Sequence, residues 1–237
     1  MKNSINSLVR KLKPEEVKCD PLGLWGTDER AGKYLMAEFE GYEVPTQSPN
    51  LNLQFLTHCA QNLSNAKAVE VGVFGGYLSL NLAKLLKGKN SKVYSVDIWE
   101  QLTIDNGNIT YLGEIHPDYL DDARHWFKNM RFNYQNILKE LNYDHVTIIQ
   151  KPSLEAVNDF EDKELDLIFI DSDHSKEHVL KELRAWYPKL KGDGTICGDD
   201  YGTRLDAGGV SEALDVFCKE NNFTLDVYAQ RCWKIKR

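Results

Sequence analysis

No apolar run in the chain approaches the roughly 20 residues a helix needs to cross a bilayer, so no membrane span is expected. The amino terminus, MKNSINSLVRKLKPEE, lacks the continuous apolar core of a secretory signal, because Asn6, Ser7, Arg10 and Lys11 interrupt Ile5, Leu8, Val9 and Leu12. The five cysteines (Cys19, Cys59, Cys197, Cys218 and Cys232) lack CxxC spacing and are odd in number. They suggest free thiols, not a disulfide framework or a zinc site, and a reducing, cytoplasmic setting. An excess of positive charge is missing too. With 29 Lys and Arg against 36 Asp and Glu the net charge is −7, which argues against a broad phosphate-binding surface and against nucleic acid as partner. Signs of disorder or of a repeat array are also wanting in 237 residues that are 42% hydrophobic and 27% charged, enough to bury one substantial core.

What is present is organised around Ala68 to Leu82, AVEVGVFGGYLSLNL. Val69 and Val71 end a buried strand, Gly72, Gly75 and Gly76 make a tight turn, and Leu78, Leu82, Leu85 and Leu86 have helical spacing. Glycines there permit positive φ and close approach of a ligand, and the helix start presents free N–H groups. The same strand, turn and helix also occur in α/β domains that bind nothing. Asp97, ending the strand KVYSVD 25 residues after Gly72, adds a carboxylate able to accept from ribose hydroxyls. A dinucleotide fingerprint would need glycine at positions 74 and 77, which hold Phe74 and Tyr77, so NAD is disfavoured.

Residues 1–50 are expected to be an appended segment of short amphipathic pieces broken by Pro14, Pro21, Pro45 and Pro49, its aromatics Trp25, Tyr34, Phe39 and Tyr42 capping the core or roofing a substrate site. Residues 51–237 are expected to form the catalytic domain, opened by a helix from Leu51 to Leu63. After Asp97 a long stretch near 99–120 leaves the ligand side of the sheet and could serve as a lid, with Trp99, Tyr111, His116 and Tyr119 as contact candidates, or be a surface excursion. A helix is expected from Asp121 to Leu141 and strands at His145–Gln150 and Leu165–Asp171. Further on come a helix from Lys176 to Leu190, a strand at Gly194–Gly198, a helix from Val210 to Glu220, and a closing pair, Phe223–Tyr228 and Gln230–Ile235, whose closeness implies antiparallel pairing. The class is α/β.

Asp171, Asp173, His174, Asp199 and Asp200 fall at the carboxyl ends of two neighbouring strands, where open α/β sheets place ligands. Singly, aspartates at strand ends more often cap helices, and Asp173 is the first candidate for that role. Crowded together they repel unless a cation binds, and an acidic oxygen-rich set suits Mg²⁺, Mn²⁺ or Ca²⁺ better than zinc. His178, one turn beyond His174, has no cysteine or third histidine to complete a zinc site.

EVGVFGGY and SVD resemble the adenosylmethionine-binding part of class I methyltransferases, whose first motif has an acidic residue two before a glycine and a second glycine four later. Glu70, Gly72 and Gly76 fill those places. Phe74 departs from the commonest form but is similar to the aromatic of catechol-type O-methyltransferases, which also carry a Gly-Tyr like Gly76-Tyr77. DxDH followed by GDD resembles the metal-dependent O-methyltransferases of the catechol type and of the macrocin-type sugar branch. The resemblance runs from Lys67 to Lys236 and implies a Rossmann-like sheet of seven strands with helices on both faces and an antiparallel last strand. It implies S-adenosylmethionine at Glu70, Gly72, Gly76, Asp97, Ser153 and Asp171, a divalent metal (Mg²⁺ expected) at Asp171, Asp199 and Asp200, and His174 as general base. Catechol-type members commonly have lysine and asparagine where this chain has His174 and Asp200, so it leans toward the sugar type. The implied reaction is methyl transfer to a hydroxyl of a small polyhydroxylated acceptor, a sugar or natural-product moiety, with homo-oligomerisation left open. A same-fold enzyme with other chemistry, or a silent adenosyl-ligand binder, are the rivals.

Overall fold

The computed structural model describes residues 35–46, 51–99, 104–105, 108–109, 120–202 and 209–237. Strands β1 (Leu35–Phe39) and β2 (Tyr42–Thr46) form a hairpin, followed by α1 (Leu51–Ala60), β3 (Lys67–Val71), α2 (Tyr77–Leu86) and β4 (Lys92–Asp97). A two-residue pair, β5 (Ile104–Asp105) and β6 (Asn108–Ile109), precedes α3 (Leu120–Glu140), β7 (Val146–Gln150), the short α4 (Ser153–Ala156) and β8 (Leu165–Ile170). Then come α5 (Lys176–Trp186), β9 (Leu190–Gly198), α6 (Gly209–Asn221), β10 (Thr224–Tyr228) and β11 (Cys232–Lys236). Among the described residues no helix is long and apolar enough to cross a membrane.

Seven strands make one sheet in the order β10-β11-β9-β8-β3-β4-β7. Five run parallel in a block, and β11 lies antiparallel to both β9 and β10. The expected seven-stranded α/β sheet with an antiparallel last strand is what the chain forms. Alternation along the central strands sorts the core. Val69, Val71, Ile168, Ile170, Ile196 and Trp233 face α5 and α6, whereas Ala68, Leu167, Phe169 and Cys197 face α1 and α2. Both faces are covered, which is why LDLIFI is nearly all apolar.

Local chemistry explains where elements depart from expectation. The helix from Lys176 stops at Trp186 because Pro188 cannot continue it, and Tyr187–Lys189 tightens into a 3-10 turn. The next strand starts at Leu190, four residues before the expected Gly194, and Arg237 donates to the carbonyls of Lys191 and Gly194 along that extension. In residues 1–50, where amphipathic pieces were expected, the described part is a β hairpin. Phe39 and Val44 are buried against Leu80, Tyr134 and Tyr143, so Phe39 belongs to the core. Trp25 and Tyr34 lie outside the described residues, as do Tyr111, His116 and Tyr119.

The first crossover reverses the chain at residues 72–76 with positive φ at Gly72 (89°), Phe74 (53°) and Gly76 (90°). A Cβ on Gly75 would overlap the carbonyl oxygen of Pro45 in β2, and one on Gly76 would overlap the ring of Tyr134 in α3. The glycines are therefore demanded by close packing as well as by backbone conformation. Gly88 also has positive φ (74°) but nothing within 4 Å of a Cβ. Gly88→Ala should cost about 1 kcal/mol for left-handed strain alone, and Gly76→Ala about 2–4 kcal/mol because Tyr134 must move as well. Denaturant unfolding of the two variants measures the gap, and equal costs would contradict the packing account.

Candidate active site

The chain runs from β3 outward through β4 to β7 and then returns to place β8 on the other side of β3, so β3 and β8 flank the topological switch point. Their ends are in contact. Asp171 N–H donates to Val71 O at 2.8 Å, and a Cβ on Gly72 would overlap the Asp171 carbonyl oxygen and lie 2.9 Å from Cα of Ser172. Gly72 and Asp171 thus meet where the two strands end.

Asp97, at the end of β4, holds the glycine turn from beneath. Its Oδ2 accepts from the N–H groups of Val73 (2.8 Å) and Phe74 (2.9 Å), and its Oδ1 accepts from Trp99 N–H (2.9 Å). Burial lifts its carboxyl above the usual range, and these backbone donors work in the opposite direction. Trp99, a candidate lid contact, is fully buried, donates its indole N–H to Phe74 O at 2.8 Å and stacks on Tyr134. It braces the turn from within the core.

Glu70 has a different environment from the one its motif position implies. Its side chain points to the face of the sheet that α2 covers, where Ser79 of α2 donates to it; Ser79 lies 2.9 Å from the Ser95 hydroxyl of β4, which lies 2.7 Å from the Tyr134 hydroxyl. All four residues are buried. Desolvation pushes the Glu70 carboxyl up to about 8, opposed by the Ser79 hydrogen bond and helped by the charge of Asp97. Ser153, the first residue of α4, accepts the indole N–H of Trp186 at 2.9 Å.

At the ends of β8 and β9, Asp171, His174 and Asp200 each bring one ligating atom within 4.8 Å of the others. His174 Nε2 is 2.9 Å from Asp200 Oδ2, and Asp200 is a non-glycine residue at φ 64°, a strained conformation of the sort concentrated at functional sites. Burial would lower the His174 imidazole, but its hydrogen bond to Asp200 and the charges of Asp200, Asp173 and Asp199 outweigh this and raise it. The Asp171 carboxyl is raised well above its usual range by burial and by Asp199 and Asp200. Asp173 accepts Ser175 N–H at 2.6 Å, a local turn ahead of α5 and not the helix cap considered for it, since Ser175 is the N-cap residue, and His178 faces Glu182 at 3.5 Å.

Asp199 does not join the other three. Arg231 Nε donates to its two oxygens at 2.7 and 2.9 Å, Asn52 Nδ2 donates to Oδ2 at 2.6 Å, and Arg231 Nη2 bridges to Asp200 Oδ1 at 3.0 Å. Neither Asn52 nor Arg231 was anticipated. The signal for Arg231 lies in the strand register: Trp233 pairs with Gly198, so continuing the antiparallel ladder by two residues sets Arg231 opposite Asp200. Nothing in the helix pattern of LNLQFLTHCA singles out Asn52. Three carboxylates sharing one guanidinium leave an excess of negative charge, and an oxygen-rich set with one imidazole fits a hard divalent cation.

The family model of the methyltransferase domain matches residues 69–201, more than half of the chain. The chain belongs to that methyltransferase family. Solved structures similar to this methyltransferase include the O-methyltransferase NovP (16% identity, TM-score 0.57, covering 84% of this chain and 86% of that one). Precorrin-6y C5,15-methyltransferase from Geobacter metallireducens is similar over 80% of this chain and 91% of its own, at 15% identity and TM-score 0.52. SMU.1697c from Streptococcus mutans, solved in complex with SAH, is similar over 81% and 98%, at 16% identity and TM-score 0.51. At such identities the likeness is one of fold. No curated protein sequence matches the chain.

The buried Glu70 gives this methyltransferase a pH signature. An unfolded glutamate loses its proton near pH 4.3, while folded Glu70 keeps it to about 8. Its contribution is therefore fully present below about pH 4.3, falls as pH rises through the window to about 8 with a limiting slope of roughly 1.4 kcal/mol per unit, and is flat above. Glu70→Gln should match the wild type in acid and gain on it steadily between pH 5 and 8. Parallel stability curves for the two proteins would show that Glu70 is ionised when folded.

Proposed function

We propose that the protein transfers a methyl group from S-adenosylmethionine to a hydroxyl of a small polyhydroxylated acceptor, with a divalent cation, Mg²⁺ in the first instance, at the acidic cluster. The observation that carries this is the convergence of Asp171, His174 and Asp200 within 4.8 Å, directly beside the glycine turn, in a chain of the methyltransferase family. A catalytically silent binder of the same fold would have no use for such a set.

For the cofactor, the turn over Gly72 to Gly76 is fixed before any ligand arrives, because Asp97 already holds Val73 and Phe74. Asp97 Oδ1 accepts one N–H group, so a lone pair remains for a ribose hydroxyl. Ser153, its hydroxyl taken by Trp186 as acceptor, retains its O–H as a donor toward the adenine side. Asp171 lies between the two sites, its backbone on Gly72 and its carboxylate toward Asp200.

For the chemistry, Asp171 and Asp200 would hold the cation, which when bound lowers the pKa of an acceptor hydroxyl and orients it. His174 Nε2 lies 2.9 Å from Asp200 Oδ2, and the neutral ring beside that carboxylate is placed to take the proton of an acceptor hydroxyl. Deprotonation then accompanies attack on the sulfonium methyl, and a partly buried site favours a reaction that cancels the sulfonium charge.

An assay of methyl transfer to a panel of sugars and catechols tests the proposal. Exhaustive chelation should abolish turnover and Mg²⁺ or Mn²⁺ should restore it, while calorimetry still records adenosylmethionine binding; full turnover after chelation would remove the metal from the mechanism. His174→Ala should keep cofactor and cation yet lose turnover by roughly 10²- to 10⁴-fold. Near wild-type turnover in that variant would assign the base elsewhere.

A further inference from the structure

The acidic cluster brings its own cation. The turn between β10 and β11 places Ala229 and Gln230 both at positive φ (50° and 57°), a backbone that neither residue favours, and delivers Arg231 to the end of β9. There its carbonyl accepts Tyr201 N–H at 2.9 Å and its guanidinium grips Asp199 through Nε and Nη2. Asp199 Oδ2 also receives Asn52, and Oδ1 faces the Cys232 thiol at 3.7 Å. The Asp199 side chain has no exposed surface, and donors of this protein surround both oxygens. Coordinating a metal would require Asp199 to give up a bidentate, charge-assisted pair and leave a half-buried guanidinium behind.

We infer that Arg231 withdraws Asp199 from cation binding, so that a divalent ion is held by the carboxylates of Asp171 and Asp200 while Asp199 serves to position Arg231 and the end of β9. The inference rests on the metal-dependent chemistry proposed above and narrows its ligand set. It also sets the charge of the site: three carboxylates and one guanidinium sum to −2, which a divalent ion neutralises. Arg231 bridges to Asp200 Oδ1, the edge of that carboxylate opposite the one facing His174, and thereby aims Oδ2 into the site.

The experiment is a Mn²⁺ titration followed by electron paramagnetic resonance, with circular dichroism to confirm folding. The double variant Asp199→Asn/Arg231→Gln removes both charges at once, keeps the cluster at −2 and leaves a neutral hydrogen-bonded pair in place of the ion pair. It should bind Mn²⁺ within about threefold of the wild type, whereas Asp200→Asn should weaken binding at least tenfold. Arg231→Gln alone, where it folds, should bind Mn²⁺ at least tenfold more tightly, since Asp199 is released to the ion. A double variant that is folded but has lost Mn²⁺ would overturn the inference and restore Asp199 as a ligand. Absence of Mn²⁺ binding in the wild type and every variant would instead overturn the metal-dependent proposal, and this inference with it.

Discussion

Everything at the ligand edge of the sheet depends on how closely β3 and β8 can approach at their carboxyl ends. The approach is possible because position 72 has no Cβ; any side chain there would collide with the Asp171 carbonyl. With that contact made, Asp171 N–H reaches Val71 O and the β3–β8 ladder continues one residue past the strands. The glycine turn is then set on one side of the crevice and the Asp171–His174 loop on the other. A single missing methyl group thus determines the distance between the two halves of the site.

The turn itself is assembled by protein groups. Pro45 closes on Gly75, Tyr134 on Gly76, and the Asp97 carboxylate takes the N–H groups of Val73 and Phe74 within the turn. Glu70 likewise looks inward, linking β3 through Ser79 to α2 and through Ser95 and Tyr134 to β4 and α3. Three elements that share no strand pairing in common, α2, α3 and the β1–β2 hairpin, are brought to one turn by these contacts. The motif residues therefore act first as organisers of the crevice wall.

Most of the sheet could be read from the sequence because its strands carry their own local chemistry: apolar runs such as LDLIFI for the buried parallel strands and the close spacing of the last two strands for their antiparallel pairing. The β1–β2 hairpin could not, since LMAEF and YEVPT are short, hold a proline, and gain their burial from partners far along the chain such as Tyr134 and Tyr143. In the site, Asp171, His174 and Asp200 were legible because they cluster within two strand ends. The orientation of Asp199 was not, because Asp199 and Asp200 are consecutive and only the left-handed backbone at Asp200 turns their carboxylates to different neighbours. Arg231 and Asn52 lie 32 and 147 residues from Asp199, and such pairings are invisible to local pattern.

The place of β11 ties the edge of the sheet to the acidic centre. It follows β9 and β10 in the chain yet lies between them, antiparallel to both, and β10 reaches the sheet through it alone. The same strand begins next to Arg231, whose guanidinium holds Asp199 and Asp200, and carries Trp233, whose indole donates to the Asp199 carbonyl at 2.9 Å. A closing hairpin that parted from β9 would take the guanidinium and the indole with it, so the fraying of this edge and the loss of the acidic centre are one event.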